Sequence, residues 1–360
     1  MTDAAPVSPV DRAGLRQRVD KALTEFLAGQ RARLIRVDDA LVAVSEAIEA
    51  FVLGGGKRLR PAFAYWGFRG AGGVDGDQVL TAVAALEFVQ ASALIHDDLM
   101  DRSDTRRGDP AVHRRFAEQH RAAGWGGDPD GFGDAAAILL GDLCLVWSDE
   151  LLHSAGLDLR AAARARPVFD EMRTEVTVGQ YLDVLTQVTG DTSVERASKV
   201  ARYKSAKYTV ERPLLLGAAL ADAPPQVCTA YSAYGLPLGE AFQLRDDVLG
   251  VFGDPALTGK PAGDDLREGK RTYLVAAAVE ATDDAGRKLL LGQLGDPALD
   301  ERGVARLREL ITASGALART EQRIVTLTDT ALAALSAVDL DTEARQALVD
   351  LAIAATRRAD

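Results

Sequence analysis

Apolar residues recur at three- and four-residue spacing along almost the whole chain, in 12–28, 38–53, 78–100, 134–154, 161–188, 194–220, 226–252, 271–292 and 302–356. That is the period of a helix with a buried face, and the alternating β-branched runs that mark strands are scarce. Helix-ending clusters fall between the segments: "LGGGKR", "GAGGVDGD", "AAGWGGDPDGFGD", "TGDTS", "ADAPP", "GDPALTGKPAGDD" and "GDPALD". The Gly/Pro/Asp run at 124–133 predicts the longest surface loop. No stretch has the composition of an interdomain linker, and no repeat of roughly 20–50 residues is present. The pattern therefore predicts one all-α domain over 11–360 behind a frayed, disordered N-terminus at 1–10.

Two of these segments carry adjacent aspartates where apolar residues belong, "LIHDDLMD" at 94–101 and "FQLRDDVLGVFGD" at 242–254. On a helix Asp97 and Asp101 share one face, ~6 Å apart along the axis, and Gln90 lies on the same face two turns earlier. A lone acidic pair on a helix is ordinarily a solvated surface. Pairs wedged between apolar turns in two separate helices are not, because unpaired buried charge is expensive. Carboxylate oxygens with no His or Cys at ligand spacing suit Mg²⁺, which keeps waters and bridges to a substrate phosphate. His96 points ~100° away from Asp97 and reads as structural. The downstream copy has Gly250 where the upstream one has Asp101.

Basic residues answer these acids. They are Lys57, Arg58 and Arg60 in "GGGKRLRP", Arg106 and Arg107 in "DTRRGDP", and Arg202, Lys204 and Lys207 in "RYKSAKYT". Lys260, Arg267, Lys270 and Arg271 follow in "TGKPAGDDLREGKRT". Singly, a base at a helix end is more often a dipole partner than a ligand. Together with two acidic clusters, such bases are what holds a diphosphate through bridging Mg²⁺. Neither "GGGKR" nor "LTGKP" is a P-loop, and the chain has no dinucleotide fingerprint and no nucleophile elbow.

Composition narrows the setting. Forty-two basic against 53 acidic residues leave a net charge of −11, which argues against a nucleic-acid or anionic-membrane binder. Any phosphate site is then a local basic cluster on an acidic body. Cys144 and Cys228 lack metal-ligand spacing and cannot form a disulfide framework, which fits a reducing cytosol. The first residues lack the basic start and apolar stretch of a signal peptide, and no apolar run approaches a membrane span. The expectation is a cytoplasmic protein without stable membrane insertion.

With these residues laid out, the chain resembles the trans-isoprenyl diphosphate synthases, or polyprenyl synthetases, from 54–61 to 268–272. The matching motifs are "GGGKRLRP", "HDDLMDRSDTRRG", "LLGD" at 139–142, "KSA" at 204–206, "FQLRDD" and "GKPAGDDLREGK". The resemblance implies an all-α bundle around a deep central cavity, working as a homodimer. It implies Mg²⁺ as cofactor, three ions, with Mn²⁺ able to substitute. Asp97 and Asp101 would bind metal from one wall and Asp246 from the other, supported by Asp98 and Asp247. Arg106, Lys204, Lys260 and Lys270 would hold an allylic diphosphate (dimethylallyl, geranyl or farnesyl). Lys57, Arg60, Gln90 and Arg107 would hold isopentenyl diphosphate. Ser205 and Gln243 would stabilise the carbocation left when diphosphate departs, and isopentenyl diphosphate would attack it head to tail. The released diphosphate would take the proton.

In this family the product grows down the first Asp-rich helix. Ser92 and Ala93 are small, and Val89 lies ~12 Å below Asp97. A C20 product, geranylgeranyl diphosphate, is the first expectation, with Phe88 or a partner-subunit side chain as the floor. Farnesyl and longer-chain synthases, a non-catalytic partner subunit and a class I terpene cyclase are the alternatives. Within the resemblance Gly250 is a permitted variation. It leaves room for Asp254 or the "GDPALTGK" loop, and an aspartate placed there should be tolerated.

Overall fold

The computed structural model describes residues 9–254, 263–296 and 298–357. These residues are helical apart from turns and one short ladder. Where the apolar period runs unbroken, helices fall close to the expected segments, as in Asp77–Met100, Leu159–Thr189 and Pro225–Phe252. Segment 194–220 runs continuously through Val194–Val200, a π-helical stretch Ala201–Glu211 and Arg212–Leu220.

Capping side chains divide what periodicity merged. Asp283 accepts from Gly286 N and starts Asp284–Gln293 after Tyr273–Ala281. The segment 302–356 resolves into Glu301–Ala313, Ala316–Ser336 and Thr342–Thr356, the last capped by Asp341. The loop expected at 124–133 is shorter. Asp128 accepts from Asp130 N and Gly131 N, and the helix Pro129–His153 begins there with proline in its first turn. Two further helices, Leu59–Gly70 and Val112–Ala123, fall outside the expected apolar segments. The first is buried on nearly every side, and the second buries His113 and His120 beside Val112, Phe116 and Ala117. Val10 is buried in a 3₁₀ turn, Pro9–Gly14, so the frayed segment does not reach residue 10; residues 1–8 lie outside the described residues.

The apolar side chains form two clusters. The larger is built on Phe63, Trp66, Phe88, Tyr231 and Tyr234, and the smaller on Val248, Leu274, Leu307 and Ile324. Helix Pro225–Phe252 contributes Tyr231 and Phe242 to the first and Leu244 and Val251 to the second, so one rod runs through both. Helix Asp77–Met100 corrects one expectation. Its mean hydropathy of 1.6 over eighteen residues suffices by length and composition to cross a membrane. Yet 72% of that window is buried within the protein, where it packs on Pro129–His153.

Candidate active site

The C-terminal end of helix Asp77–Met100 carries the first acidic wall. Asp97 Oδ1 accepts from Lys204 Nζ at 2.9 Å and from Gln180 Nε2 at 3.0 Å. Asp98 is fully buried and takes the Arg106 guanidinium as a fork, with Nε at 2.9 and 3.1 Å and Nη2 on Oδ1. Asp101 Oδ2 lies 3.1 Å from Lys270 Nζ. Burial alone would raise Asp97, but Lys204, Lys270 and Arg106 hold it well below the usual carboxylate range. Burial raises Asp101, assisted by the charges of Asp97 and Glu268 against Lys270. Lys204 and Lys270 are partly buried, and the carboxylates around them outweigh the cost of desolvation and keep both ammonium groups charged.

Backbone geometry delivers these cations. Arg106 and Arg107 sit on a two-stranded hairpin, Thr105–Arg106 against Asp109–Pro110. Arg107 and Gly108 both have positive φ, 56° and 85°, as a type I′ turn requires. Lys204 and Ser205 lie in the π-helical stretch, whose extra width brings its backbone against neighbouring helices. A Cβ on Gly179 would come within 2.7 Å of Lys204 Cα, and one on Gly239 within 2.6 Å of Ala206 Cα. Lys204 also reaches Asp183 at 2.5 Å, one turn beyond Gln180.

The second wall belongs to helix Pro225–Phe252. Asp247 is buried, accepts from Gln243 Nε2 at 2.8 Å, and is pushed up to about 8 by burial, with Asp265 and Asp246 adding to the shift. Asp246 is partly exposed. The three atoms nearest to the room beside Gly250 all belong to Asp265. A Cβ on Gly250 would overlap Asp265 Oδ2 and Cγ and stand 3.0 Å from Oδ1. Asp265 lies 3.9 Å from Lys270 Nζ, and Lys270 also pairs with Glu268 at 2.6 Å. Glu268 in turn accepts from Ser103 at 2.8 Å, so Lys270 and Glu268 join the two walls.

A third group surrounds the glycine loop. Arg60 is buried, donates to Thr209 Oγ1 at 2.8 Å, and lies 4.0 Å over the Tyr208 ring. Arg107 Nη1 donates to Gly55 O at 2.5 Å. A shallow cleft beside it is lined by residues that include Arg58, Glu87, Gln90, Leu94 and Arg107. Lys57 is exposed nearby in sequence. Lys260 lies outside the described residues.

The structure thus brings together Asp97, Asp98, Asp101, Arg106, Lys204 and Lys270, and groups Gln90 with Arg107 separately. Val89 and Ser92 are buried, and Ala93 is partly exposed. Phe88 is not on the Asp97 face. Nine positions at ~100° each turn it to the opposite side, where it packs edge-on against Phe26 and Trp147 at 5.4 and 6.1 Å. His96 is structural, its Nε2 3.1 Å from Ile138 O. The sequence reading missed Gln180, Asp183, Asp265 and Glu268. "GQYLD" at 179–183 carried a usable signal, a glycine with an amide and a carboxylate at helical spacing.

The donor set bears on a metal. Among the described residues no three His, Cys, Asp or Glu side chains form a ready-made cage. Asp97 and Asp101 instead face ammonium groups, so cationic charge is already called for at those oxygens. An all-oxygen set supplying only one or two ligands per wall fits Mg²⁺, which completes its shell with water and substrate phosphate.

Residues 42–311 match the family model "Polyprenyl synthetase". The chain is 34% identical to geranylfarnesyl diphosphate synthase of Aeropyrum pernix, over 82% of this chain and 87% of that one. It is 35% identical to (2E,6E)-farnesyl diphosphate synthase of Mycobacterium bovis, over 72% and 68% respectively. A crystal structure of geranylgeranyl pyrophosphate synthase from Corynebacterium glutamicum, complexed with isoprenyl diphosphate and magnesium, superposes with a TM-score of 0.93 at 45% identity. It covers 96% of this chain and 98% of that one.

Proposed function

Since this chain belongs to the polyprenyl synthetase family and is a trans-prenyl diphosphate synthase, we propose that it condenses isopentenyl diphosphate head to tail with an allylic diphosphate to give geranylgeranyl diphosphate. The observation that carries this reading is the seating of Lys204 on Asp97 and Lys270 on Asp101, with Lys270 also near Asp265, which lies against Gly250 of the second aspartate-bearing helix. Partly buried acids and bases that neutralise each other can exchange partners when a diphosphate and its counter-ions arrive.

Asp97 and Asp101 on one wall and Asp246 on the other would hold Mg²⁺, three ions in all. Bound magnesium neutralises the charge that grows on the departing diphosphate. The chain's own residues do the rest. Arg106, fixed by its fork on Asp98, presents its remaining N–H groups to the allylic diphosphate, and Lys204, Lys260 and Lys270 join it. Lys57, Arg60, Gln90 and Arg107 hold isopentenyl diphosphate. Gln243 gives its amide N–H to Asp247, so its carbonyl oxygen stays available to the allylic cation beside the Ser205 hydroxyl. Two polyanions held this close repel strongly, which is why so many cations converge here.

The small residues Ser92 and Ala93 and the likeness to a geranylgeranyl pyrophosphate synthase support a C20 product. Exposed apolar residues on two consecutive helices support a homodimer, Ile138, Leu139 and Val146 on Pro129–His153, Val178 and Tyr181 on Leu159–Thr189. Size-exclusion chromatography with light scattering tests that state, and a monomer contradicts it. The activity is tested by incubation with Mg²⁺, isopentenyl diphosphate and each C5, C10 and C15 allylic diphosphate, with the product sized. A C15 or C25 product replaces the C20 assignment. No condensation with any primer favours a non-catalytic partner subunit.

A further inference from the structure

Arg58 stands between Lys57 and Arg60 but belongs to neither diphosphate group above. Its side chain is 3% exposed, and each nitrogen has its own partner. Nε donates to Asp20 at 2.7 Å, Nη1 to Glu87 at 2.5 Å, and Nη2 to Val52 O at 2.8 Å. These partners lie on helices Leu15–Val37, Asp77–Met100 and Val42–Leu53, so one guanidinium ties three helices where the glycine loop ends. Its backbone φ is +48°, uncommon for a residue with a side chain and sustained only where the surroundings over-determine it.

Glu87 is buried as deeply as Arg58, 4% exposed, and lies one turn before Gln90. Its Oε1 has no hydrogen-bond partner among the described residues. Both Glu87 and Arg58 line the cleft that contains Gln90 and Arg107. Arg107 is depressed by burial, and there the charge of Glu87 opposes those of Arg58, Arg106 and Arg60. Glu87 is thus a fixed counter-charge inside a cationic cluster. Removing one member of a buried pair leaves the other uncompensated and free to move.

We propose that Arg58 and Glu87 are positioning residues of the isopentenyl diphosphate site. Glu87 fixes the Arg58 guanidinium, and Arg58 fixes the left-handed turn that sets Lys57 and Arg60 opposite Arg107. The inference rests on the reading of Lys57, Arg60, Gln90 and Arg107 as the residues that hold isopentenyl diphosphate.

Steady-state kinetics with each substrate varied in turn tests it. Glu87→Gln should raise KM for isopentenyl diphosphate about tenfold or more, while kcat and KM for the allylic substrate stay within about threefold. Arg58→Lys, which keeps the charge but loses the fork, should do the same and stands in if Glu87→Gln fails to fold. Because one residue acts through the other, the double variant should raise KM no further than the larger single change. An unchanged KM overturns the inference, as do additive increments or a joint shift of kcat and both KM values that follows lost thermal stability. If the wild type incorporates no isopentenyl diphosphate, the proposed function fails and this inference with it. A normally active wild type with unaltered variants defeats this inference alone.

Discussion

Asp265 occupies the space that Gly250 leaves open, close enough that a Cβ on residue 250 would overlap its carboxylate. The second aspartate cluster is therefore not missing a carboxylate. A neighbouring segment supplies one in the same place, and it faces Lys270. Gly250→Asp therefore requires the Asp265 carboxylate to move, and we predict a cost in place of the tolerance expected from the sequence. The new side chain would displace Asp265 and set a third carboxylate beside Asp247. Its condensation rate should fall at least about tenfold, or ~1.4 kcal/mol, and its Mg²⁺ requirement should rise. A magnesium titration of initial rate that matches the wild type would remove Asp265 from the account.

Arg106 takes its hydrogen-bonded fork from Asp98, and Asp97 Oδ2 adds only a longer ion pair at 3.5 Å. Asp98→Asn keeps the shape and halves the fork. We expect kcat to drop roughly 100-fold, the scale of losing one preorganised charge-stabilising donor, with the fold retained by circular dichroism. Near-normal kcat would make Asp98 a stability residue only.

Asp247 sets a pH dependence. Its carboxyl is pushed from 3.8 up to about 8 by burial, against hydrogen bonds from Gln243 and the Tyr273 backbone. The folded chain binds this proton more tightly than the unfolded chain. The stability it contributes is complete below about 3.8 and lost as pH rises through about 8. In EDTA the melting temperature should decline between about pH 5 and pH 8.5, and Asp247→Asn should flatten that decline. Parallel pH profiles for the two proteins would contradict it.

Ala93 lies one turn below Asp97 on a partly exposed stretch of the helix face. Ala93→Phe should shift product from C20 toward C15 with little loss of total turnover. Unchanged product length by chromatography would place the limit elsewhere.

The long helices and both aspartate pairs were legible because each rests on local spacing. Asp97 and Asp101 share a face by helical geometry alone, and periodicity located Asp77–Met100 within a residue. What was not legible depends on packing between segments distant in sequence. Asp265 against Gly250, Gln180 against Asp97 and Glu87 against Arg58 are contacts that helix packing alone brings about. Phe88 was misplaced by ranking size above direction. Asp128 was read as loop and Asp283 as helix interior, when both are caps. The π-helical stretch has no spacing signature in the sequence. It shows only through the glycines on the helices beside it.

The central claim is that aspartates from two helices share one diphosphate-handling site. Incorporation of labelled isopentenyl diphosphate into prenyl product, with Mg²⁺ and farnesyl diphosphate, tests it most directly in wild type, Asp97→Ala and Asp246→Ala. We predict robust incorporation by the wild type and a loss of roughly 1000-fold in both variants. Wild-type rates in Asp246→Ala, or no incorporation by the wild type with any allylic primer, would contradict the claim.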